Sequence, residues 1–307
     1  MSAALQQTWR AIVADNLSGA SEIYSRVLKA LMQHLTLLDQ TPRALQDWPR
    51  WLREMLHVQP AMAPLYNLMN RLALIFEQEG LSESERMTQA LFFLQQEEQQ
   101  ATQNNIAIAQ HAFSLIADRP RVLTHSFSGT VAAALEHAYE KGAQLEIYLS
   151  EARPANEGRR MAERLARADI PIHFFVDDAR SRFLKQVDLV LLGADRIAED
   201  FFLNKSGTHG LVLLAAQQKI PVALLAARNK LWPANLPFGE ESLHPPSEIW
   251  QLAPPSIHLH NFYFEESATT FVQKIFTENG CFSPQALRLS LQGLRVARFW
   301  RQAYYEI

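Results

Sequence analysis

Between residues 120 and 226 short apolar runs alternate with segments of helical periodicity, and this rhythm limits the fold more than any other feature. The runs are Val122-Leu123, Leu145–Leu149, Ile172–Val176, Leu189–Leu192 and Val222–Leu225, with helical segments at about 129–141, 157–168 and 207–218. Runs of this length are too short for lone helices and read as buried strands. Strands alternating with helices imply a parallel sheet with right-handed crossovers. Before Asp118-Arg119-Pro120 the texture is different. Ile23, Val27, Leu31 and Leu35 recur at helical spacing, Thr41-Pro42 forms a cap and first-turn pair, and Trp48, Trp51, Leu52 and Leu56 give a second stripe. Pro60 and Pro64 bracket a break before the apolar segment Leu65–Phe76, and Gly80 is a stop. Ser82 followed by Glu85 fits a capping box for a long helix, whose glutamine-rich segment 95–104 reads as a solvated helix surface.

The predicted fold class is α/β: a helical N-terminal domain over 1–117, then a Rossmann-like parallel-sheet C-terminal domain over 118–307. One more short strand is expected near Ile249–Leu252. Residues 268–307 read as helix, interrupted at Gly280 and restarted by Ser283-Pro284, with Cys281 a buried small residue of that tail.

Bulk properties exclude several classes of function. A net charge of −3 leaves no basic excess to neutralise the phosphates of a nucleic acid. One cysteine allows neither an intrachain disulfide nor a cysteine-based metal site, and His125, His173 and His209 are not spaced as a metal set. No cofactor is expected. Without a signal pattern or a membrane-length apolar run, the expectation is a cytoplasmic protein with no membrane partner.

The chemistry concentrates at strand ends, where open α/β sheets hold their ligands. The stretch 187–210, VDLVLLGADRIAEDFFLNKSGTHG, places Asp195 and Arg196 beyond one strand and Asn204, Lys205 and Gly207 at the front of the next helix. A carboxylate, a lysine and free helix-start N–H groups meeting there suit a phosphorylated polar ligand. A buried Asp195 can act as general acid or base, or simply cap its turn or pair with Arg196. The small hydroxyl residues of Thr124–Thr130 either cap a helix or offer donors to an anion. Arg153, held beside Pro154, either grips a phosphate or pairs with Glu151 or Glu157. Asp177 and Asp178 are read as caps of a short helix.

Six segments, in order, resemble a known family: the alpha, beta and delta regulatory subunits of eukaryotic translation initiation factor 2B, with their relatives methylthioribose-1-phosphate isomerase and ribose-1,5-bisphosphate isomerase. They are Asp15–Ala20 (DNLSGA), Pro60–Asn67 (PAMAPLYN), VLTHSFSGTV, EARPANEGRR, LLGADRI with NKSGT, and NFYFEESATTFVQKIFTENG. The resemblance implies that Asp195 and the residue at Ser126 are the catalytic positions. It implies that Gly19, Arg153, Glu157, Asn204, Lys205 and His125 bind substrate, and that the chain forms a homodimer or larger homo-oligomer. The apolar and aromatic density of 249–276 and 297–305 fits such an interface.

Three departures shape the functional expectation. The family's isomerases use a cysteine in the T-H-C loop, and Ser126 stands there instead; a hydroxyl is a far weaker acid than a thiol of pKa about 8.5. Ser18 replaces the arginine before Gly-Ala, and Glu157 replaces a glutamine. The expectation is therefore a protein that binds a phosphorylated sugar or nucleotide without cysteine-dependent isomerase chemistry. The alternatives are an active aldose–ketose isomerase using Asp195, and an assembly subunit with a vestigial pocket.

Overall fold

The computed structural model describes residues 3–13, 20–38, 48–56, 62–233, 241 and 243–300. The expected Thr41-Pro42 cap and Pro60 break lie outside them, as does Gly19. The first half is helical: α1 (Ala3–Val13), α2 (Ala20–Leu38), α3 (Trp48–Leu56), α4 (Ala63–Phe76) and α5 (Glu83–Ala117). Ile23, Val27, Leu31 and Leu35 line one face of α2 and are fully buried against Leu52, Leu68 and Leu94. Each such side chain contributes about 1.5–3 kcal/mol on leaving water. The Ser82–Glu85 capping box opens α5, with Glu85 N–H donating to Ser82 Oγ and Ser82 N–H to Glu85 Oε2.

That helix has 35 residues and serves two cores. Met87, Ala90 and Leu94 pack among the helices, whereas Ile108, Ala112 and Ile116 pack on the sheet. The polar stretch between them is half-exposed, as its composition suggested, and forms walls of two cavities.

The second half holds a seven-stranded sheet in the order β10-β9-β7-β4-β1-β2-β3. Its strands are β1 (Arg121–Thr124), β2 (Glu146–Ser150), β3 (Ile172–Phe175), β4 (Leu189–Leu192), β7 (Val222–Leu225), β9 (Lys274–Thr277) and β10 (Gly280–Phe282). All pair in parallel except the β9–β10 hairpin. The helices α6 (Gly129–Glu140), α7 (Glu157–Ala166), α8 (Arg180–Leu184), α9 (Thr208–Gln217) and α10 (Pro284–Gln292) complete the α/β architecture. A small antiparallel sheet of β5 (Arg196–Ile197), β6 (Phe201–Lys205) and β8 (Phe264–Ala268) flanks it.

Three readings of the sequence are corrected. Within 268–282 the expected helix is replaced by a 3-10 turn at Thr269–Phe271 and two strands: β9 lies parallel to β7 with Ile275, Phe276 and Thr277 buried, and turns through Glu278-Asn279 into β10. Val272, Ile275 and Phe276 fit a helical spacing as well as they fit a short buried strand, so periodicity does not separate the two. Cys281 therefore sits on an edge strand and is exposed. No strand forms at Ile249–Leu252; a 3-10 turn at Pro246–Glu248 leads into loop, where Leu252 is 88% exposed. The carbonyls of Glu248 and Ile249 accept from the Arg153 guanidinium rather than from a ladder.

Aromatic rings from α4, from the segment after β7 and from residues 297–300 meet in the helical core. Tyr66 of α4 lies 4.4 Å from Trp232 and 5.0 Å from Trp300, ring centre to ring centre. Residues 297–300 thus return to the helical core, with Trp300 fully buried. The aromatic density of 297–300 therefore has an internal cause; residues 301–305 of the expected interface lie outside the described residues.

Candidate functional site

The strand order reverses between β1 and β4, because β2 and β3 build outward on one side and β7 and β9 on the other. Loops leaving such a pair of strands diverge, and the crevice between them is where open α/β sheets hold ligands. Here it is a cavity of about 340 Å³, with Asp195, Asn204, Lys230, Asn105, Ser128 and Arg164 on its wall. The loop from β1 caps α6: Ser128 Oγ accepts from Val131 N–H at 3.3 Å. Gly193, ending β4, lies so close to this cap that a Cβ would stand 2.6 Å from Ser128 Oγ. A side chain there would push the two walls apart.

Asp195 is fixed through its backbone. Its N–H donates to Leu203 O at 2.8 Å, and its carbonyl accepts from Ala63 N–H, which starts α4. The helical layer is thereby pinned to the strand end. Lys230 arrives from a 3-10 turn, Arg228–Lys230, just beyond the carboxyl end of β7. Asn67 of α4 holds that turn by donating from Nδ2 to Asn229 O and Leu231 O, each at 2.7 Å. Among the described residues neither the Asp195 carboxyl nor the Lys230 ammonium makes a hydrogen bond, and they act on each other only through the field. Burial pushes the Asp195 carboxyl up, opposed by Lys230, Lys205 and Arg196. Burial pushes Lys230 down, opposed by Asp195. Two ionisable groups held without partners beside a cavity fit a site awaiting polar atoms.

Of the residues singled out in the sequence, Asp195 and Asn204 lie on this wall, and Asn204 Nδ2 donates to Thr208 Oγ1. Ser128 of the loop after β1 lies on it too, whereas Ser126, His125, Arg153, Glu157 and Lys205 lie off it. Lys205 is buried in an ion pair with Glu157 Oε1, its ammonium 3.8 Å from the centre of the Tyr263 ring. Tyr263 in turn donates to Glu248 Oε2. Gly158, next to Glu157, permits this approach of α7 to β2, since a Cβ there would stand 1.9 Å from Ser150 O. Arg153 is exposed and donates to the carbonyls of Pro154, Glu248 and Ile249.

His125 is buried, with Nε2 at 2.9 Å from Ser206 O and Nδ1 at 3.3 Å from Ser150 Oγ. Burial and the Arg180 charge lower its pKa to about 4, so the ring is neutral and Nε2–H donates to the carbonyl. Ser126 is also buried, in a left-handed conformation at φ 63°, and is off the cavity wall. Ala152 and Asn156, at φ 58° and 59°, share that conformation in the loop after β2. Such backbone strain collects at functional loops. Asp177, read as a helix cap, instead accepts from Ala152 N–H and Arg153 N–H and so shapes the loop that presents Glu157.

Lys230 had no motif to announce it. One signal was available: it stands just past the strand that follows the site helix, where side chains reach the same edge of the sheet. Among the described residues no group of three or more His, Cys, Asp or Glu is arranged to hold a metal, and no helix is long and apolar enough to cross a membrane.

Comparison with known proteins matches this architecture. Ribose 1,5-bisphosphate isomerase of Haloferax volcanii is 30% identical over 196 residues, 61% of this chain and 60% of that protein. The chain thus spans less than two thirds of the length of the first isomerases it matches, at 60% and 63%. A putative translation initiation factor eIF-2B subunit 2-like protein of Pyrococcus horikoshii is 28% identical over 277 residues, 90% of this chain and 95% of that one. The crystal structure of the Pyrococcus horikoshii OT3 translation initiation factor eIF-2B superposes with a TM-score of 0.77 at 24% identity, covering 92% of this chain and 98% of that chain. Residues 17–284 match the initiation factor 2 subunit family, from just before the α2 start that walls the cavity to the first turn of α10, and the chain belongs to that family.

Proposed function

We propose that this protein binds a phosphorylated sugar or nucleotide in the cavity between β1 and β4, and does not perform cysteine-dependent isomerisation. The observation that carries the reading is the pair Asp195 and Lys230, held unbonded at a cavity of about 340 Å³ beside the start of α6. A cation and the start of α6 at the cavity wall suit a phosphate, and Asp195 and Asn204 on the same wall suit sugar hydroxyls. In this reading residues 1–117 act as a helical domain roofing the cavity, and Lys205 is silent because Glu157 already neutralises it. Arg153 serves the 248–249 loop rather than the ligand. The absence of turnover follows from Ser126, which replaces a thiol with a weaker acid and lies off the wall.

One observation favours a second reading, an active aldose–ketose isomerase: burial raises the Asp195 carboxyl toward the range of a general acid. A single experiment separates the two. Ribose 5-phosphate is titrated by calorimetry, then incubated with the protein in heavy water under proton NMR. Binding without ketose or deuterium uptake supports the first reading. Rapid conversion supports the second, and no binding of ribose 5-phosphate or of any of a panel of sugar phosphates and nucleoside monophosphates rejects both.

The same reading includes a homodimer. Trp250, Leu252, Ile257 and Phe262, between 41% and 88% exposed, make an apolar surface of the kind that marks subunit contacts. Light scattering that returns a monomer at micromolar concentration would rule it out.

A further inference from the structure

The turn at Arg228–Lys230 faces two ways. Lys230 walls the cavity described above, whereas Arg228 and Asn229 wall a second and larger one of about 610 Å³. The long helix α5 divides in the same manner, with Asn105 on the first wall and Asn104 on the second. Nothing in the proposed function uses this second space.

Its chemistry is that of an anion site. Three arginines reach it from three separate elements: Arg71 from α4, Arg228 from the turn and Arg295 from the segment after α10. Among the described residues none of the three guanidinium groups has a carboxylate partner; Arg71 lies over the Phe93 ring at 5.3 Å. The two carboxylates on the same wall are already engaged. Glu97 accepts from Tyr24 OH at 2.5 Å, and Glu278 accepts from the Arg228 backbone N–H at 3.0 and 3.2 Å. Asn229 Oδ1 is buried on this wall without any donor. A volume in the few-hundred-Å³ range is that of a small-molecule site. Guanidinium groups converging without counter-ions favour a ligand with several anionic oxygens, because each planar fork matches two of them.

We propose that this cavity is a second binding site, for an anion bearing more than one phosphoryl group, and that it communicates with the first through the shared turn. Asn67 clamps Asn229 O and Leu231 O, on either side of Lys230, so the turn moves as one piece. An anion that draws Arg228 toward itself displaces Lys230 in the opposite cavity. Communication of this kind is reciprocal at equilibrium.

The test uses inorganic pyrophosphate and the full chain. Calorimetry is run on the wild type, on Arg71→Ala/Arg295→Ala and on Lys230→Ala. The dissociation constant is expected to rise by about tenfold or more in the double variant and to change less than about twofold in Lys230→Ala, since each lost charge-assisted contact weakens binding strongly. The double Arg→Lys variant should fall between, and all three arginines are exposed, so folding is not at risk. The reverse ranking, which would put pyrophosphate in the first cavity, overturns the site, as does an absence of binding to the wild type. Amide resonances of Asp195 and Lys230 should shift with pyrophosphate in the wild type but not in the double variant; resonances that stay still overturn the communication. These readouts stand whether or not ribose 5-phosphate binds.

Discussion

Lys205 and Lys230 are almost equally hidden, at 5% and 7% exposure, yet they sit in opposite electrostatic situations. Lys205 touches Glu157 and lies over Tyr263, in a network that continues to Glu248. Lys230 has only the field of Asp195, across a wall that opens into a cavity. A buried charge with a close partner is structure; one without it is held in readiness for something else. Burial alone does not distinguish the two, and the partner does.

The largest expected effect comes from breaking the paired side. Lys205→Ala leaves the Glu157 carboxylate buried and uncompensated, which typically destabilises by about 3–5 kcal/mol. Urea unfolding should show that loss, and Lys205→Ala/Glu157→Gln should recover most of it. Lys230→Ala should change stability by less than about 1 kcal/mol, because it removes an ammonium whose burial nothing close offsets. Equal losses in the two single variants would erase the contrast.

How much of this was visible beforehand follows from which forces are local. The strands β1, β2, β4 and β7 were legible as continuous apolar runs because both their faces are covered. Asp195 was legible for the same reason, standing directly beyond β4. The edge strand β3 was legible from its apolar residues although His173 and Phe174 are exposed. Strand β9 was not, because Val272, Ile275 and Phe276 satisfy a helical period as well as a buried strand. Arg153 and Lys205 looked like anion contacts because a sequence displays a charge without its partner. Their partners stand nearly a hundred and about fifty residues away, at Glu248 and Glu157. Lys230 was illegible because its burial depends on Asn67, more than 160 residues earlier, closing over the turn.

Acid sharpens the comparison next. His125, beside Lys205 through Ser206, and His34 are both buried with pKa values lowered to about 4, in each case chiefly by burial. The unfolded chain takes up protons near the ordinary histidine value of about 6.5, and the folded chain does not until about 4. Stability is therefore full above about pH 6.5 and is lost as pH falls through this window, by about 3 kcal/mol per histidine. Asp195 works the other way: its raised pKa means that folding favours its proton, so acid relieves the cavity side. Denaturant melts from pH 7 to pH 4 should fall steeply in the wild type. In His125→Asn the slope should be smaller by about 1.4 kcal/mol per pH unit, the share of one proton. In Asp195→Asn the fall should be steeper than in the wild type. An unchanged slope in His125→Asn would mean that this ring is not held neutral.

The smallest expected effect bears most directly on function. If Lys230 is the cation that meets a phosphate, Lys230→Ala should weaken ribose 5-phosphate binding by about 1.5–3 kcal/mol, or roughly ten- to a hundredfold. Lys205→Ala/Glu157→Gln should leave that affinity within about twofold, since in the native fold the pair is closed on itself and neither member walls the cavity. Calorimetry on the two variants, each first shown to melt cooperatively, reads both numbers. Loss of binding in the paired variant with full binding in Lys230→Ala would invert the assignment: the phosphate would then reach Lys205 by displacing Glu157, and the unpaired lysine would answer only to Asp195.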